Sequence, residues 1–268
     1  MGRLDGRVAA ITGAGRGIGA ATARRFADEG AAVVLNDLDA DPLEAVCGEI
    51  IGLRGRVRSI PGDASDPAVA EAIASEALGA FGGLDILVCC AGITADAAFH
   101  ALDDAAWQDV DRSCWRATRA TVRACVDIMR AAATEELARD GRVAHQRKIV
   151  MTAAATFLTG SPGQANLTAA AGAVVGLTRT LARELGGFGI NVNTVLPGFI
   201  DTRLTARQPA EGGLGVAEPV RQMTKAMTAL GRYGSPADVA AANCFLASAD
   251  ADFVTGVSLP VTGGLLGT

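Results

Sequence analysis

The feature that most constrains this chain is a regular alternation of short β-branched or apolar runs with longer helical stretches. The runs predict seven strands, at Val8–Thr12, Ala32–Asn36, Arg56–Pro61, Ile86–Cys89, Lys148–Thr152, Ile190–Leu196 and Val257–Val261. The stretches between them predict helices at Gly17–Glu29, Pro42–Leu53, Pro67–Phe81, Asp103–Ala132, Gln164–Leu185 and Pro236–Ala247. This order is typical of parallel strands joined by crossover helices. The sequence therefore predicts an α/β fold, a doubly wound, seven-stranded parallel sheet with helices on both faces.

Composition narrows the class of protein further. The 268 residues are 50% hydrophobic, enough for one well-buried core, and no interdomain linker is visible, so we expect a single domain over 1–268. A net charge of −5 without a basic run disfavours nucleic acid as a partner. Six cysteines without ligand spacing and two histidines predict reduced core thiols and no metal site. The charged segment after Met1 is unlike a signal peptide, so a cytoplasmic location is the expectation.

Three stretches depart from the regular alternation. No residue between Lys148 and Arg179 is charged, which is long enough to cross a bilayer, but Gly160–Gln164 interrupts it. We therefore predict a buried strand, a loop and a buried helix there, and no membrane segment. The charge-rich segment 134–148 is predicted to be a solvated extension. The glycine-containing segment 203–226 is predicted to be a loop that acts as a lid.

A glycine pattern directly follows the first predicted strand. The residues Thr12–Gly19 bring four glycines to the turn where a helix should begin. Glycines suit a tight turn that approaches a pyrophosphate closely, with the phosphates at the helix N-terminus. Asp37 ends the second strand about 20 residues on, where a carboxylate binds ribose hydroxyls and repels a 2′-phosphate. Arg16 favours a phosphate, but the position of Asp37 predicts NAD rather than NADP in a Rossmann-type site.

Further motifs resemble the short-chain dehydrogenase/reductase family over nearly the whole chain. They are Thr12–Gly19, Asp63–Asp66, Ala91–Gly92, Asn191–Asn193, Pro197–Thr202, Gly231–Asp238, Thr255–Gly256 and Gly263–Gly264. The resemblance implies that this family's cofactor contacts are made here by Gly13, Arg16, Gly17, Ile18, Gly19, Asp37, Leu38, Asp63, Ala64, Ala91, Gly92, Pro197, Gly198, Ile200 and Thr202. It also implies a dimer or a tetramer.

The family transfers hydride with the help of an Asn-Ser-Tyr-Lys tetrad, and the flanking motifs locate its four positions here. They are held by Cys114, Ala154, Leu167 and Ala171, none of which carries the required group. The chain has one tyrosine and two lysines, and they form no Tyr-x-x-x-Lys pair in any register. A free phenol titrates near pH 10, so the family's tyrosine needs its lysine to exchange protons near neutrality. The sequence therefore predicts no catalytic residue at these positions.

Replacement groups are few. The threonines at 152, 156 and 168 lie near these positions, but an alcohol without a base is a poor proton donor. Histidine is a common general acid in enzymes, so His100 is the best replacement candidate, although a surface histidine without such a role is the commoner case. Cys114 has no neighbour in the sequence that would favour a thiolate.

Three functions follow from these observations. The first is a non-catalytic NAD-site protein, a structural or regulatory subunit of a homo-oligomer, or of a hetero-oligomer with an intact family member. The apolar stretch Leu167–Leu185 favours such an interface. The second is an active NAD-dependent oxidoreductase on a hydroxy or keto substrate, for which an acyl thioester is one option, with an unconventional acid or base. The third is a sensor linked to NAD.

Overall fold

The structure, a computed structural model, describes residues 2–207 and 215–265 and contains one seven-stranded sheet. Its strands are β1 Val8–Thr12, β2 Ala32–Asp37, β3 Arg56–Pro61, β4 Ile86–Cys89, β5 Arg147–Thr152, β6 Ile190–Pro197 and β7 Ser258–Val261. They lie in the order β3-β2-β1-β4-β5-β6-β7, and every neighbouring pair is parallel. The predicted fold class is confirmed.

Helices connect the strands. They are α1 Gly17–Asp28, α2 Ala40–Gly52, α3 Pro67–Phe81, α4 Asp104–Val110, α5 Ala117–Asp140, α6 Thr156–Thr159, α7 Ala165–Leu185, α8 Glu218–Met227 and α9 Pro236–Ala247. Local sequence sets several of the boundaries. Asp66 caps α3 by accepting from the Ala68 N–H, and Ser235 forms a reciprocal capping box with Asp238 at the start of α9. A proline follows each of these caps, where its missing N–H costs nothing.

The core has two halves, one on each face of the sheet. On one face α1, α2 and α9 pack, with Phe26, Leu43 and Val239 fully buried. On the other face α3, α5 and α7 pack, with Ile73 and Met129 fully buried. Residues of β1 alternate between the halves, as side chains on a strand must. The strands are thus covered on both sides, which explains their continuous apolar sequences.

The segment 134–148 corrects one prediction. Helix α5 continues through it to Asp140 and ends at Gly141, which has a left-handed φ of +70°. Arg147 and Lys148 are buried rather than solvated, at 4% and 2% exposure. The Arg147 guanidinium donates to Glu136 at 2.7 Å, and the Lys148 ammonium donates to Asp252 at 2.6 Å. These two charges are therefore buried and paired, which the composition of the segment does not reveal, while the charged residues of the segment that are exposed as predicted are Glu135, Arg139, Asp140 and Arg142.

The structure also shows how the uncharged stretch and the predicted lid segment fold. The uncharged stretch between Lys148 and Arg179 folds as β5, α6 and most of α7, so the predicted strand, loop and helix are found. Among the described residues, no helix combines the length and the apolar character that crossing a membrane requires. The predicted lid is helical in part, since α8 lies within 218–227, while residues 208–214 lie outside the described residues.

The strand order of the sheet determines where a ligand-binding cleft is expected. The connections run outward from β1 in one direction, to β2 and β3, and from β4 in the other, to β5, β6 and β7. Between β1 and β4 the loops at the carboxyl ends of the strands diverge to opposite faces. Open α/β sheets bind ligands in the cleft at this point.

Candidate active site

A first cavity of about 310 Å³ lies at this cleft. The turn after β1 forms its floor, and two glycines make that turn possible. A Cβ on Gly13 would lie 2.7 Å from the Ala91 backbone, and φ there is +64°. A Cβ on Gly19 would lie 2.0 Å from the Gly13 carbonyl oxygen. No side chain caps the N-terminus of α1, so its first N–H groups remain available to an anion. The residues therefore fit the pyrophosphate of a dinucleotide.

Asp37 joins this turn to the end of β2. Its carboxylate accepts hydrogen bonds from the Gly15 N–H at 2.8 Å and from the Asp39 N–H at 3.1 Å. A Cβ on Gly15 would lie 3.0 Å from the Asp37 carboxyl carbon, so a larger residue there would require the Asp37 side chain to shift by a few tenths of an ångström. Arg16 donates to the Asp39 carboxylate. The side chain that could bind a 2′-phosphate is thus engaged with another group.

Another part of the wall of the first cavity combines Asp63, which the sequence predicted, with Arg112 and Ser113, which it did not. Asp63 accepts from the Ser65 N–H at 2.8 Å, and Arg112 lies 3.8 Å from its carboxylate. Arg112 and Ser113 belong to a π-helical turn at Asp111–Arg116, which joins α4 to α5. Turns of this kind are frequent at functional sites. No local signal in the sequence marks a π-helical turn, so these residues were missed.

A second cavity, of about 510 Å³, lies beside the first. The two share several walls, above all the peptide 90–93 after β4. Twelve residues with a predicted cofactor role line the first cavity, namely Gly13, Arg16, Gly17, Ile18, Gly19, Asp37, Leu38, Asp63, Ala64, Ala91, Gly92 and Thr202. The other three, Pro197, Gly198 and Ile200, line the second. Their roles toward a cofactor stay predictions.

The four residues at the predicted tetrad positions all line the second cavity. Leu167 and Ala171 are one turn apart on α7, Ala154 follows β5, and Cys114 lies in the π-helical turn. The Cys114 thiol donates to the Ile93 carbonyl at 3.4 Å, and burial raises its pKa to about 11. At neutral pH it is therefore a thiol and not a thiolate nucleophile.

The other titratable candidates lie elsewhere. His100 is exposed and lines neither cavity. Tyr233 packs its ring against Phe199, with centroids 5.1 Å apart, and also lines neither cavity. Lys148 lies near the amino end of β5, away from the cleft, and Lys225 is exposed on α8. The Lys225 ammonium lies 6.0 Å from the centroid of the Tyr233 ring, but neither side chain lines a cavity, so this pair does not stand at the predicted reaction position.

Hydroxyl groups are present in the second cavity. Thr152 and Thr156 line it, and Thr168 donates to the Thr156 hydroxyl oxygen at 3.1 Å. The Thr152 hydroxyl lies 3.4 Å from the Cys90 thiol. One charged side chain, Asp96, stands among the described lining residues, at the rim, where Gln164 donates to it at 2.9 Å. The described wall is otherwise apolar or hydroxylic.

Comparisons with known proteins give similar chains of nearly equal length. The chain is 34% identical over 264 residues to the 3-oxoacyl-[acyl-carrier-protein] reductase FabG of Thermotoga maritima, covering 98% of this chain and 99% of that protein. It is 34% identical over 272 residues to (3R)-3-hydroxyacyl-CoA dehydrogenase of mouse, covering 98% and 97%. A solved dehydrogenase/reductase from Sinorhizobium meliloti matches with a TM-score of 0.84 at 34% identity, covering 98% and 96%.

These relatives correct one expectation. The loss of the tetrad groups suggested a non-catalytic structural or regulatory subunit. Proteins that match almost the entire chain are instead named as reductases and dehydrogenases. That prediction was wrong because it equated the loss of one proton-transfer arrangement with the loss of the reaction, although hydride transfer and proton transfer are separate requirements.

The family assignment depends on a match that begins in the glycine turn and extends almost to the end of the chain. A family model described as Enoyl-(Acyl carrier protein) reductase matches residues 13–266. The glycine turn from Gly13 and the strands β2 to β7 lie within that range, and β1 directly precedes it. The chain therefore belongs to the short-chain dehydrogenase/reductase family, whose members bind a nicotinamide cofactor.

Proposed function

We propose that this protein is an active nicotinamide-dependent oxidoreductase that interconverts a hydroxyl and a keto group on an acyl-type substrate. The observation that carries the proposal is the pair of adjoining cavities with common walls. The first fits a dinucleotide and the second has room for a small organic group beside it. The matched relatives are named for reactions of 3-oxoacyl and 3-hydroxyacyl compounds, which supports this substrate class.

The residues divide the work as follows. The glycine turn and the N-terminus of α1 would hold the pyrophosphate, and Asp37 the adenosine ribose. The nicotinamide, when bound, supplies or accepts the hydride. Leu167, Ala171 and Ala154 would form an apolar part of the wall around the reacting group. We infer that these positions lack the family's tetrad, so the substrate oxygen must find another hydrogen-bond donor.

We further propose that the cofactor is NAD(H). The Asp37 carboxylate would repel the 2′-phosphate of NADP(H), and Arg16 is held by Asp39 rather than free to bind that phosphate. The 203–226 segment remains a proposed lid, because Val220 and Thr224 of α8 line the second cavity. For assembly we propose a homo-oligomer that packs through α7, whose outer side carries the small exposed residues Ala169 and Gly176.

The test of the activity uses the purified chain with NADH and acetoacetyl-coenzyme A. NADH should be consumed in a protein-dependent manner, and 3-hydroxybutyryl-coenzyme A with NAD⁺ should give the reverse reaction. Butyryl-coenzyme A, which lacks the keto group, is the control and should give no consumption. Binding of NADH without turnover of any oxoacyl or simple ketone probe would overturn the proposal and favour a sensor.

The cofactor preference is tested by Asp37→Asn. The amide oxygen can still accept from the Gly15 N–H, but the negative charge is gone, and hydrogen bonds to a charged group are stronger by about 1 to 2 kcal/mol. We expect the affinity for NADH to fall roughly 10-fold and the discrimination against NADPH to shrink by at least about 10-fold. Calorimetric titration with each dinucleotide measures both.

A matched control is Asp41→Asn, an exposed carboxylate in the first turn of α2 that does not line the cavity. It should leave both affinities unchanged. Tighter binding of NADPH than of NADH by the unaltered protein would contradict the NAD assignment and leave the oxidoreductase proposal standing.

A further inference from the structure

The wall of the second cavity contains several hydroxyl groups, and four of them donate a hydrogen bond to another group of the protein. Thr224 donates to the Val220 carbonyl at 2.8 Å and Thr159 to the Gly160 carbonyl at 3.1 Å. Thr94 donates to Asp96, and Thr205 to the Ile200 carbonyl. These hydroxyls satisfy neighbours on the protein and are poor candidates for contact with a ligand.

Thr156 differs from them. Its oxygen accepts a hydrogen bond from the Thr168 hydroxyl at 3.1 Å. Within the described part of the chain its own proton has no protein acceptor, and the side chain lines the cavity. A hydroxyl that already accepts one hydrogen bond is polarised and becomes a better donor. Thr168 thus donates to Thr156, and the Thr156 hydroxyl can donate to a ligand in the cavity.

The local fold holds this donor near the predicted reaction position. Thr168 follows Leu167 on α7, and Thr156 stands two residues after Ala154. The loop before α6 is fixed to β6 by the Ala155 N–H, which donates to the Pro197 carbonyl at 3.1 Å. Phe157 packs on Gly172 of α7, where a Cβ would lie 3.6 Å from its ring. The two hydroxyls are thus carried by two elements that pack together.

We propose that Thr156 donates a hydrogen bond to the substrate oxygen, and that Thr168 is a positioning residue that orients and polarises the Thr156 hydroxyl. This inference rests on the proposed function. In the reducing direction a hydride leaves the dihydronicotinamide, when bound, by the breaking of one of its C–H bonds, which oxidises that ring. The new C–H bond forms at the carbonyl carbon, and the C=O π pair moves onto the oxygen. That oxygen takes its proton from water, while the Thr156 O–H stabilises the charge that develops on it.

Substitution by valine tests this role because it keeps the shape of threonine without the hydroxyl. With NADH and acetoacetyl-coenzyme A, Thr156→Val should lower kcat about 10- to 100-fold and change KM less than about 3-fold, since the bond strengthens in the transition state. Thr156→Ser should restore most of the rate. Thr159→Val, which removes a hydroxyl of the same wall that already donates to the Gly160 carbonyl, should stay near the unaltered protein.

The positioning role is tested by the double variant. Thr168→Val should lower kcat less than Thr156→Val, and Thr168→Ser should recover it. Adding Thr168→Val to Thr156→Val should have no further effect, because Thr168 acts through Thr156. Additive effects of the two substitutions would overturn that role.

A binding measurement keeps the inference falsifiable when turnover is absent. The protein–NAD⁺ complex should bind acetoacetyl-coenzyme A about 3- to 10-fold more tightly than butyryl-coenzyme A, which lacks the keto oxygen. Thr156→Val should abolish this preference, with circular dichroism showing an intact fold. No preference in the unaltered protein, or a preference that survives the substitution, would overturn the inference. A Thr156-dependent preference without turnover would instead contradict the proposed activity alone.

Discussion

Replacing Leu167 with Tyr and Ala171 with Lys together is expected to raise kcat for acetoacetyl-coenzyme A reduction about 100-fold. Both side chains line the second cavity, one helical turn apart on α7. A phenol placed there would offer a true acid to the substrate oxygen, and the neighbouring ammonium would lower its pKa toward neutrality. A positioned general acid typically contributes 10²- to 10⁴-fold, so even imperfect geometry should give a measurable gain.

The pH profile distinguishes this gain from a simple change of shape. The double variant should acquire an ionisation between roughly pH 6 and 9 that the unaltered protein lacks. The control is Leu167→Phe with Ala171→Met, which adds similar bulk without a titrating group and should not raise kcat. An unchanged rate in a folded, NADH-binding double variant would show that α7 does not face the reacting oxygen.

Glu136→Gln is expected to destabilise the protein by about 2–4 kcal/mol, the cost of leaving a buried guanidinium without its counter-charge. The Arg147 side chain is 4% exposed and donates to both carboxylate oxygens, while the Ala144 N–H donates to one of them. For a chain of this size the melting temperature should fall by roughly 5–12 °C. Calorimetry or thermal circular dichroism measures the change.

The exposed neighbour Glu135 provides the control, since Glu135→Gln should change stability by less than about 0.5 kcal/mol. The hydrogen bond from Arg147 holds the pKa of Glu136 below its usual value, outweighing the opposite effect of burial. The lowered pKa means that the stabilisation is present above about pH 4.3 and is lost as pH falls through the folded-state pKa. The difference between Glu136→Gln and the unaltered protein should therefore close in acid. A constant difference would contradict the ion pair.

Much of the fold could be predicted because its signals are local. Apolar runs bounded by turn residues located the strands, and Asp66 and Ser235 located two helix starts. Arg147 and Lys148 misled the prediction because their partners, Glu136 and Asp252, lie 11 and 104 residues away along the chain. A prediction that uses only neighbouring residues cannot distinguish a charge paired with a residue far along the chain from a charge exposed to solvent.

The site divides in the same way. The glycine turn and Asp37 could be predicted because backbone geometry demands those residues, whatever lies elsewhere. Arg112 could not be recognised as part of the site, because its position depends on how separate helices pack. The threonines at 156 and 168 were noted as nearby alcohols, but the hydrogen bond between them could not be predicted for the same reason. The absence of the family's tyrosine and lysine stays a prediction, and the inactivity inferred from it was wrong.

The peptide 90–93, a wall of both cavities, has a kinetic consequence. A dinucleotide bound against this peptide would itself form part of the binding surface for the substrate in the second cavity. Binding of the substrate would therefore depend on prior binding of the dinucleotide. Steady-state measurements should then show a compulsory order, with the dinucleotide arriving first and departing last.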